Sequence, residues 1–256
     1  MFIFNGWCCL MTLRQGIESL GNWLFRRRSY APLVLFPVLF YGFTPYGRSP
    51  GSAVLAENWE LVCLAVGLFG LAIRCLAVGY AAQGTSGRST RCPRADDLNT
   101  TGMYSLMRHP LYVGNFFMWL AAAMLPGSIS IAMFVSIAFW LYYAPIMFAE
   151  EAFLRRTFGT RYTEWAGRTP AIIPTRISWV RPSRPFAVRS VFKRERSGVA
   201  GLLLTLGALG GVEDSLATNA VRFDAVDGSL LAAGLLTALM SVTYKGVKRH
   251  RSAQRI

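Results

Sequence analysis

Six runs rich in Leu, Ala, Val, Phe and Met, at 30–43, 54–82, 111–125, 128–149, 199–212 and 229–244, constrain this chain more than any other feature. Each ends at charged or turn-forming residues. A hydrocarbon core of about 30 Å takes about 20 helical residues to cross, and four of the runs approach or exceed the length of a span. Composition agrees, since 53% of the 256 residues are apolar and only 16% are charged, too greasy a balance for a soluble domain of this size. The sequence predicts an all-α, polytopic membrane helix bundle of about six spans, with interfacial and short cytosolic helices. The runs at 30–43 and 199–212 are short, so they must tilt little, borrow flanking residues or penetrate incompletely.

Charge orients the spans. Of the 27 Lys and Arg, 24 fall on one side: Arg14, Arg26 to Arg28, the 83–110 loop, the 150–198 segment and the tail from Lys245. Arg48 and Arg222 fall on the other side with Glu57, Glu213, Asp214, Asp224 and Asp227, and Arg74 lies inside the second run. Under the positive-inside rule the Arg-rich face is cytoplasmic, both termini are inside and the span number is even. Residues 1–29 combine Phe2, Ile3, Phe4, Trp7, Leu10 and Leu13 with Asn5, Arg14 and Glu18, which predicts an amphipathic helix lying in the interface rather than a cleaved signal. The organisation expected is this helix, two spans over 30–82, a core over 83–198 containing the hairpin 111–149, and a span pair with a basic tail over 199–256. Arginine outnumbers lysine 24 to 3, which hints at a GC-rich bacterial genome and so a multi-pass protein of the inner (plasma) membrane.

The net charge of +14 lies beside membrane runs, where basic residues meet anionic head groups at about 1 kcal/mol each, so no nucleic-acid partner is expected. Cys8, Cys9, Cys63, Cys75 and Cys92 form no C-x-x-C and pair with no histidine at metal spacing. No metal is therefore expected. The chain also lacks G-x-S-x-G, a P-loop and a dinucleotide fingerprint, which removes the usual support for hydrolase or nucleotide triphosphatase readings.

Chemistry concentrates around the hairpin. Pro110 suits the first turn of a helix, where its missing N–H has no partner to lose, with His109 at or beside the cap. The free N–H groups of that turn, the helix dipole and Arg108 together favour a bound carboxylate. Tyr104 and Tyr112 bracket the position with rings that pack and hydroxyls that hydrogen-bond. Pro126-Gly127 turns the chain back to Glu150-Glu151, whose side chains diverge by about 100° on a helix, so at most one points squarely into a shared pocket. A molecule carrying a carboxylate, an amine, sugar hydroxyls and an apolar ring matches these groups.

The ordered run Thr101-Gly102-Met103-Tyr104, Arg108-His109-Pro110-Leu111-Tyr112-Val113-Gly114, Glu150-Glu151-Ala152-Phe153-Leu154 and Phe158-Gly159-Thr160-Arg161-Tyr162, followed by Trp165, Pro170 and Pro174, resembles the membrane methyltransferases typified by isoprenylcysteine carboxyl methyltransferase and bacterial phospholipid methyltransferases. The resemblance covers roughly residues 90–175. It implies S-adenosylmethionine in a cytoplasmic-side pocket lined by Leu98, Asn99, Tyr104, His109, Pro110, Leu111 and Tyr112 and completed by Glu150 or Glu151, with an acceptor entering from the membrane. Glu150, Glu151 and Arg108 are the catalytic candidates, and Glu151 is also counted with the cofactor-binding set.

The expected acceptor is a membrane lipid head group, phosphate or amine, with a prenylcysteine carboxylate as the alternative. Arg74, about 8 residues or roughly 12 Å from the cytoplasmic end of its run, either snorkels to the head groups or anchors an anion, and is the candidate substrate-binding residue. The glycine, hydroxyl and arginine groups of 84–91 form a second candidate anion site. Two rival classes are an NADPH-dependent, sterol-reductase-like membrane oxidoreductase and a non-enzymatic scaffold.

Reporters fused after Ile256 and inserted in the 83–100 loop are expected to be cytoplasmic, and one inserted at 218–226 to be external. An external C-terminus in that fusion series overturns the orientation.

Overall fold

The structure, a computed structural model, describes residues 4–28, 31–44, 59–82, 85, 95–175, 179–218, 221 and 223–253. Of the expected anion loop at 84–91 only Thr85 is among these residues, and Arg48 and Arg222 lie outside them. Among the described residues the chain is helical, with α1 (Phe4–Arg27), a 3₁₀ turn (Ala31–Leu35), α2 (Phe36–Gly42), α3 (Trp59–Tyr80), α4 (Met103–Leu106), α5 (Pro110–Met124), α6 (Ile129–Arg168), α7 (Val188–Thr218) and α8 (Ala225–Ala253). No strand forms among them, and the expected all-α membrane bundle is what the chain adopts.

Among the described residues four helices are long and apolar enough to cross a membrane: α3, α6, α7 over Val188–Leu216 and α8 over Ala225–Tyr244. The two short runs meet different fates. Run 30–43 becomes the 3₁₀ turn followed by the seven-residue α2, a rise of about 20 Å that is shorter than the hydrocarbon thickness. Run 199–212 sits inside a 31-residue helix, because the stretch from Val188, rich in Arg, Lys and Glu, continues in helix. These straight-chain residues lose little rotamer freedom there. The 40 residues of α6 rise about 60 Å, twice the hydrocarbon thickness. Its apolar half to Ala149 spans, and the half from Glu150, carrying Arg155, Arg156, Arg161 and Arg168, projects beyond.

The chain divides into two compact units. The first comprises 1–35, 80–113 and 136–186. In it α1 lies against α6 so closely that a Cβ on Gly21 would collide with the carbonyl of Pro145. Tyr142 donates its hydroxyl hydrogen to the Leu24 carbonyl at 3.2 Å, and Glu18 pairs with Arg156 at 2.6 Å. Leu13, Ile17, Leu20 and Trp23 of α1 remain exposed at helical spacing, as a helix resting in the interface requires. Gly159 breaks α6 with φ +54°, ψ −125° and redirects the last two turns, so that Tyr162 and Trp165 bury against Leu98.

The second unit comprises 36–79, 114–135 and 187–256. Here α3 and α5 meet backbone to backbone: a Cβ on Gly70 would come within 2.5 Å of the Gly114 carbonyl oxygen, and one on Gly114 within 2.6 Å of that of Gly70. Small residues let membrane helices approach this closely, and dispersion over the contact replaces a hydrophobic drive that lipid does not supply. Gly127, at φ +65°, closes the α5–α6 turn, with its N–H on the Met124 carbonyl at 2.9 Å. The Trp59 indole N–H donates to that same carbonyl at 2.8 Å. Helices α7 and α8 pack along each other, with Leu204 filling the space above Gly234.

Gly70→Val is expected to push α3 off α5 and to destabilise the protein by roughly 1–3 kcal/mol or more, as overpacking does, read as a lowered Tm in detergent. Gly201→Val, where a Cβ meets nothing within 4 Å, is the matched control and is expected to shift Tm little.

Candidate functional site

The backbone of Arg108 and His109 is held before any side chain is considered. Arg108 donates its N–H to the Pro170 carbonyl at 2.9 Å, and His109 donates to that of Ala171 at 3.1 Å, so the segment after α6 brackets the start of α5. Pro110 is the first residue of α5, as expected, and the His109 carbonyl accepts the first helical bonds, from Tyr112 and Val113. This corrects one expectation. Pro110 has no N–H and that of Tyr112 is already used, so the first turn is not the open cradle of donors that the sequence suggested.

The two glutamates take separate partners. Tyr112, buried, donates to Glu150 Oε1 at 2.8 Å, and Arg28, at the end of α1, approaches the same oxygen at 3.6 Å. His109 Nε2 lies 2.9 Å from Glu151 Oε1, and Arg108 Nε lies 3.3 Å from it. The divergence of neighbouring helical side chains thus yields one carboxylate per cluster. Burial pushes the Glu150 carboxyl up, against the pull of His109, Tyr112 and Arg28. For Glu151 burial acts the same way, but the His109 hydrogen bond and the charges of His109 and Arg108 outweigh it and hold the carboxyl below its usual range. An ionised carboxylate only accepts, so the imidazole must present its N–H from Nε2. Tyr162, buried beside this carboxylate, has its phenol pushed up to about 12 by burial and by Glu151.

Around these charges stands an apolar wall. Leu98, Tyr162 and Trp165 form a buried cluster against which Tyr104, Leu154 and Phe158 pack, and the Trp165 indole donates to the Tyr104 carbonyl at 3.2 Å. The unit thus gathers Leu98, Tyr104, Arg108, His109, Pro110, Tyr112, Glu150 and Glu151, with Leu111 on the first turn of α5. Asn99 is engaged elsewhere: its Oδ1 accepts from the Ala82 N–H at 3.0 Å and its Nδ2 donates to Thr85 at 2.8 Å, tying off the chain after α3.

Arg74 departs from its expected role. Its guanidinium grips Glu195 of α7 through two hydrogen bonds, at 2.7 and 3.0 Å, and meets Asn115 at 2.5 Å. Glu195 is only 3% exposed. An arginine so placed neutralises a buried carboxylate of its own unit, so the expectation that it anchors an acceptor anion gives way to a structural role. Sequence reasoning missed Glu195 as its partner, Arg28 as a member of the site, and Tyr162 and Trp165 as its wall.

Comparison with known proteins bears on the same stretch of chain. Residues 61–161 match the profile of the family described as phospholipid methyltransferase. That stretch is similar to the phospholipid methyltransferases. The resemblance read from the hairpin motifs is therefore borne out. The chain is 34% identical over 133 residues to the nickel-cobalt-cadmium resistance protein of Alcaligenes xylosoxydans xylosoxydans, covering 52% of this chain and 59% of the relative. It is 33% identical over 132 residues to the cobalt-zinc-cadmium resistance protein of Cupriavidus metallidurans, covering 51% and 58%. Against protein-S-isoprenylcysteine O-methyltransferase of Schizosaccharomyces pombe the identity is 37% over 78 residues, 30% of this chain and 33% of that one. The match spans under two thirds of each relative's length, and no solved structure matches.

Phospholipid and isoprenylcysteine methyltransferases take the methyl group from S-adenosylmethionine, and the donor set here fits that molecule. Arg108 Nε is buried without a hydrogen-bond partner of good geometry, a donor suited to a carboxylate. Glu150 and Glu151 offer acceptors for an ammonium or a diol, and the wall of Leu98, Tyr104 and Trp165 suits a flat apolar ring.

Arg74→Leu is expected to cost roughly 3–5 kcal/mol of stability by stranding Glu195, and the double replacement with Glu195→Leu to recover much of it. Equal and additive losses in the two single variants, measured by denaturation in detergent, would remove the structural role.

Proposed function

We propose that the protein is an S-adenosylmethionine-dependent methyltransferase acting on a membrane lipid head group, phosphate or amine. What carries the reading is Glu151, flanked by His109 at 2.9 Å and Arg108 at 3.3 Å inside the region that matches the phospholipid methyltransferases. S-adenosylmethionine supplies a methyl group already activated on a sulfonium, so no covalent nucleophile is required of the chain. The protein's task is alignment at about 3–3.5 Å and exclusion of water.

In this reading Arg108 holds the cofactor carboxylate, Glu151 and His109 fix one another and accept from the amine or ribose, and Leu98, Tyr104, Pro110, Leu111 and Tyr112 line the pocket. The two glutamates divide the work. Glu151, held ionised, contributes fixed negative charge, whereas Glu150, pushed up by burial, is the better group to take a proton from an amine acceptor at its carboxylate oxygen. A phosphate acceptor needs no base and would be met by the cations bordering the site, Arg28 and Arg108.

The isoprenylcysteine relatives support a second reading, a prenylcysteine carboxylate as acceptor. The stretch Tyr143-Ala144-Pro145-Ile146-Met147 ahead of the glutamates carries no arginine for that carboxylate, which favours the lipid. We also propose that the basic segments, and with them both termini, face the cytoplasm of a bacterial inner membrane.

Membranes containing the protein, incubated with methyl-labelled S-adenosylmethionine and extracted, are expected to carry label in lipid. His109→Ala is expected to weaken cofactor binding by roughly 1.5–3 kcal/mol, the worth of a charged hydrogen bond, in calorimetry on folded protein. Label in the protein fraction alone would favour the prenylcysteine, and binding of NADPH without S-adenosylmethionine would overturn the class.

A further inference from the structure

A second group of ionisable side chains lies within the second unit. Carboxylate oxygens of Glu60, at the start of α3, and of Asp224 and Asp227, at the start of α8, all lie within 4.8 Å of one another. Asp224 has an ordinary occupation: its Oδ1 accepts the Asp227 N–H at 2.7 Å, the capping bond of α8, and its own N–H donates to Asp214 Oδ2 at 3.0 Å. Asp227 has none. It is 1% exposed, and its Oδ2 accepts no hydrogen bond from any described residue. Its carboxylate rests on Gly210 of α7, where a Cβ would occupy the same space.

A cap accounts for Asp224 but not for a buried carboxylate with an unpartnered oxygen beside two others. Taking such a charge out of water is costly unless a cation or a bound proton compensates it. Glu213 and Asp214 add two more acids in the last turns of α7, the helix end where the dipole repels negative charge. Oxygen ligands bound to one ion at 2.3–2.6 Å lie at most about 5 Å apart, whereas the octahedron of Mg²⁺, at about 2.1 Å, allows only about 4.2 Å. Donor oxygens that all lie within 4.8 Å of one another, with no nitrogen or sulfur among them, fit inside the Ca²⁺ limit.

We propose that Glu60, Asp224 and Asp227 bind a divalent cation of the Ca²⁺ class, which fastens the start of α3 to the start of α8. The site is structural, independent of the methyltransferase reading, and of the modest affinity of extracellular modules, about 10⁻⁴–10⁻³ M.

The test uses the full chain in detergent, stripped with chelator and then titrated with CaCl₂, MnCl₂ or MgCl₂ alone. Calorimetry is expected to show saturable Ca²⁺ heat, and Tm is expected to rise by roughly 5 °C at saturating Ca²⁺, with a smaller response to Mg²⁺. Asp227→Asn and Glu60→Gln are each expected to abolish both signals, and Glu60→Gln serves alone if Asp227→Asn does not fold. Wild-type protein that responds to none of the three ions, or a Ca²⁺ response that survives in the variants, overturns the site. So does a chelated Arg222→Ala protein that is destabilised and then rescued by Asp227→Asn, since Asp227 would then be paired with that arginine instead.

Discussion

Ionic pairing at the end of an apolar helix governs both the fold and the chemistry of the first unit. Glu150 and Glu151 end the spanning half of α6, and neither can sit part-buried without compensation. The groups that compensate them come from separate places: Arg28 from α1, Tyr112 from the first turn of α5, and Arg108 and His109 from just before it. Satisfying the glutamates therefore fixes the register of α5 against α6 and docks the end of α1. A wrong register would leave charge unpaired in a poorly solvated setting, which makes the site part of the folding specification.

The same requirement recurs with a different solution in the second unit. Arg74 lies within an apolar helix and is compensated by Glu195, buried nearly completely. Two membrane helices are thereby locked through polar contacts, whereas α3 and α5 are locked through bare backbone at Gly70 and Gly114. Both devices act where greasy surfaces alone gain little from meeting each other.

What the sequence made legible was contiguous. Arg-His-Pro signals its own helix start, and a hairpin turned at Pro126-Gly127 brings residue 151 back to residue 109 by length alone. Span boundaries were legible only where composition and helix end together. At α7 they do not, because Arg and Glu continue a helix as well as Leu does, and a hydropathy boundary marks the head-group level rather than the last turn. Pairings across distance were not legible. Nothing in Arg26-Arg27-Arg28 tells which arginine turns back to a glutamate, and Glu195 stands 121 residues from Arg74. The cluster of Glu60, Asp224 and Asp227 exists only once α3 and α8 lie side by side, so a search for cysteine and histidine spacing passes over it.

The break at Gly159 has a consequence for handedness. Its φ of +54° and ψ of −125° are the mirror image of the extended conformation that ordinary L-residues prefer, and nothing lies within 4 Å of where a Cβ would be. Space is therefore free at this position, and only chirality forbids a side chain. An L-alanine methyl would find room there, yet its backbone would be strained at this φ, and relief of that strain would bend Tyr162 and Trp165 away from Leu98. The wall of the pocket thus rests on the one residue type in the genetic code that has no hand.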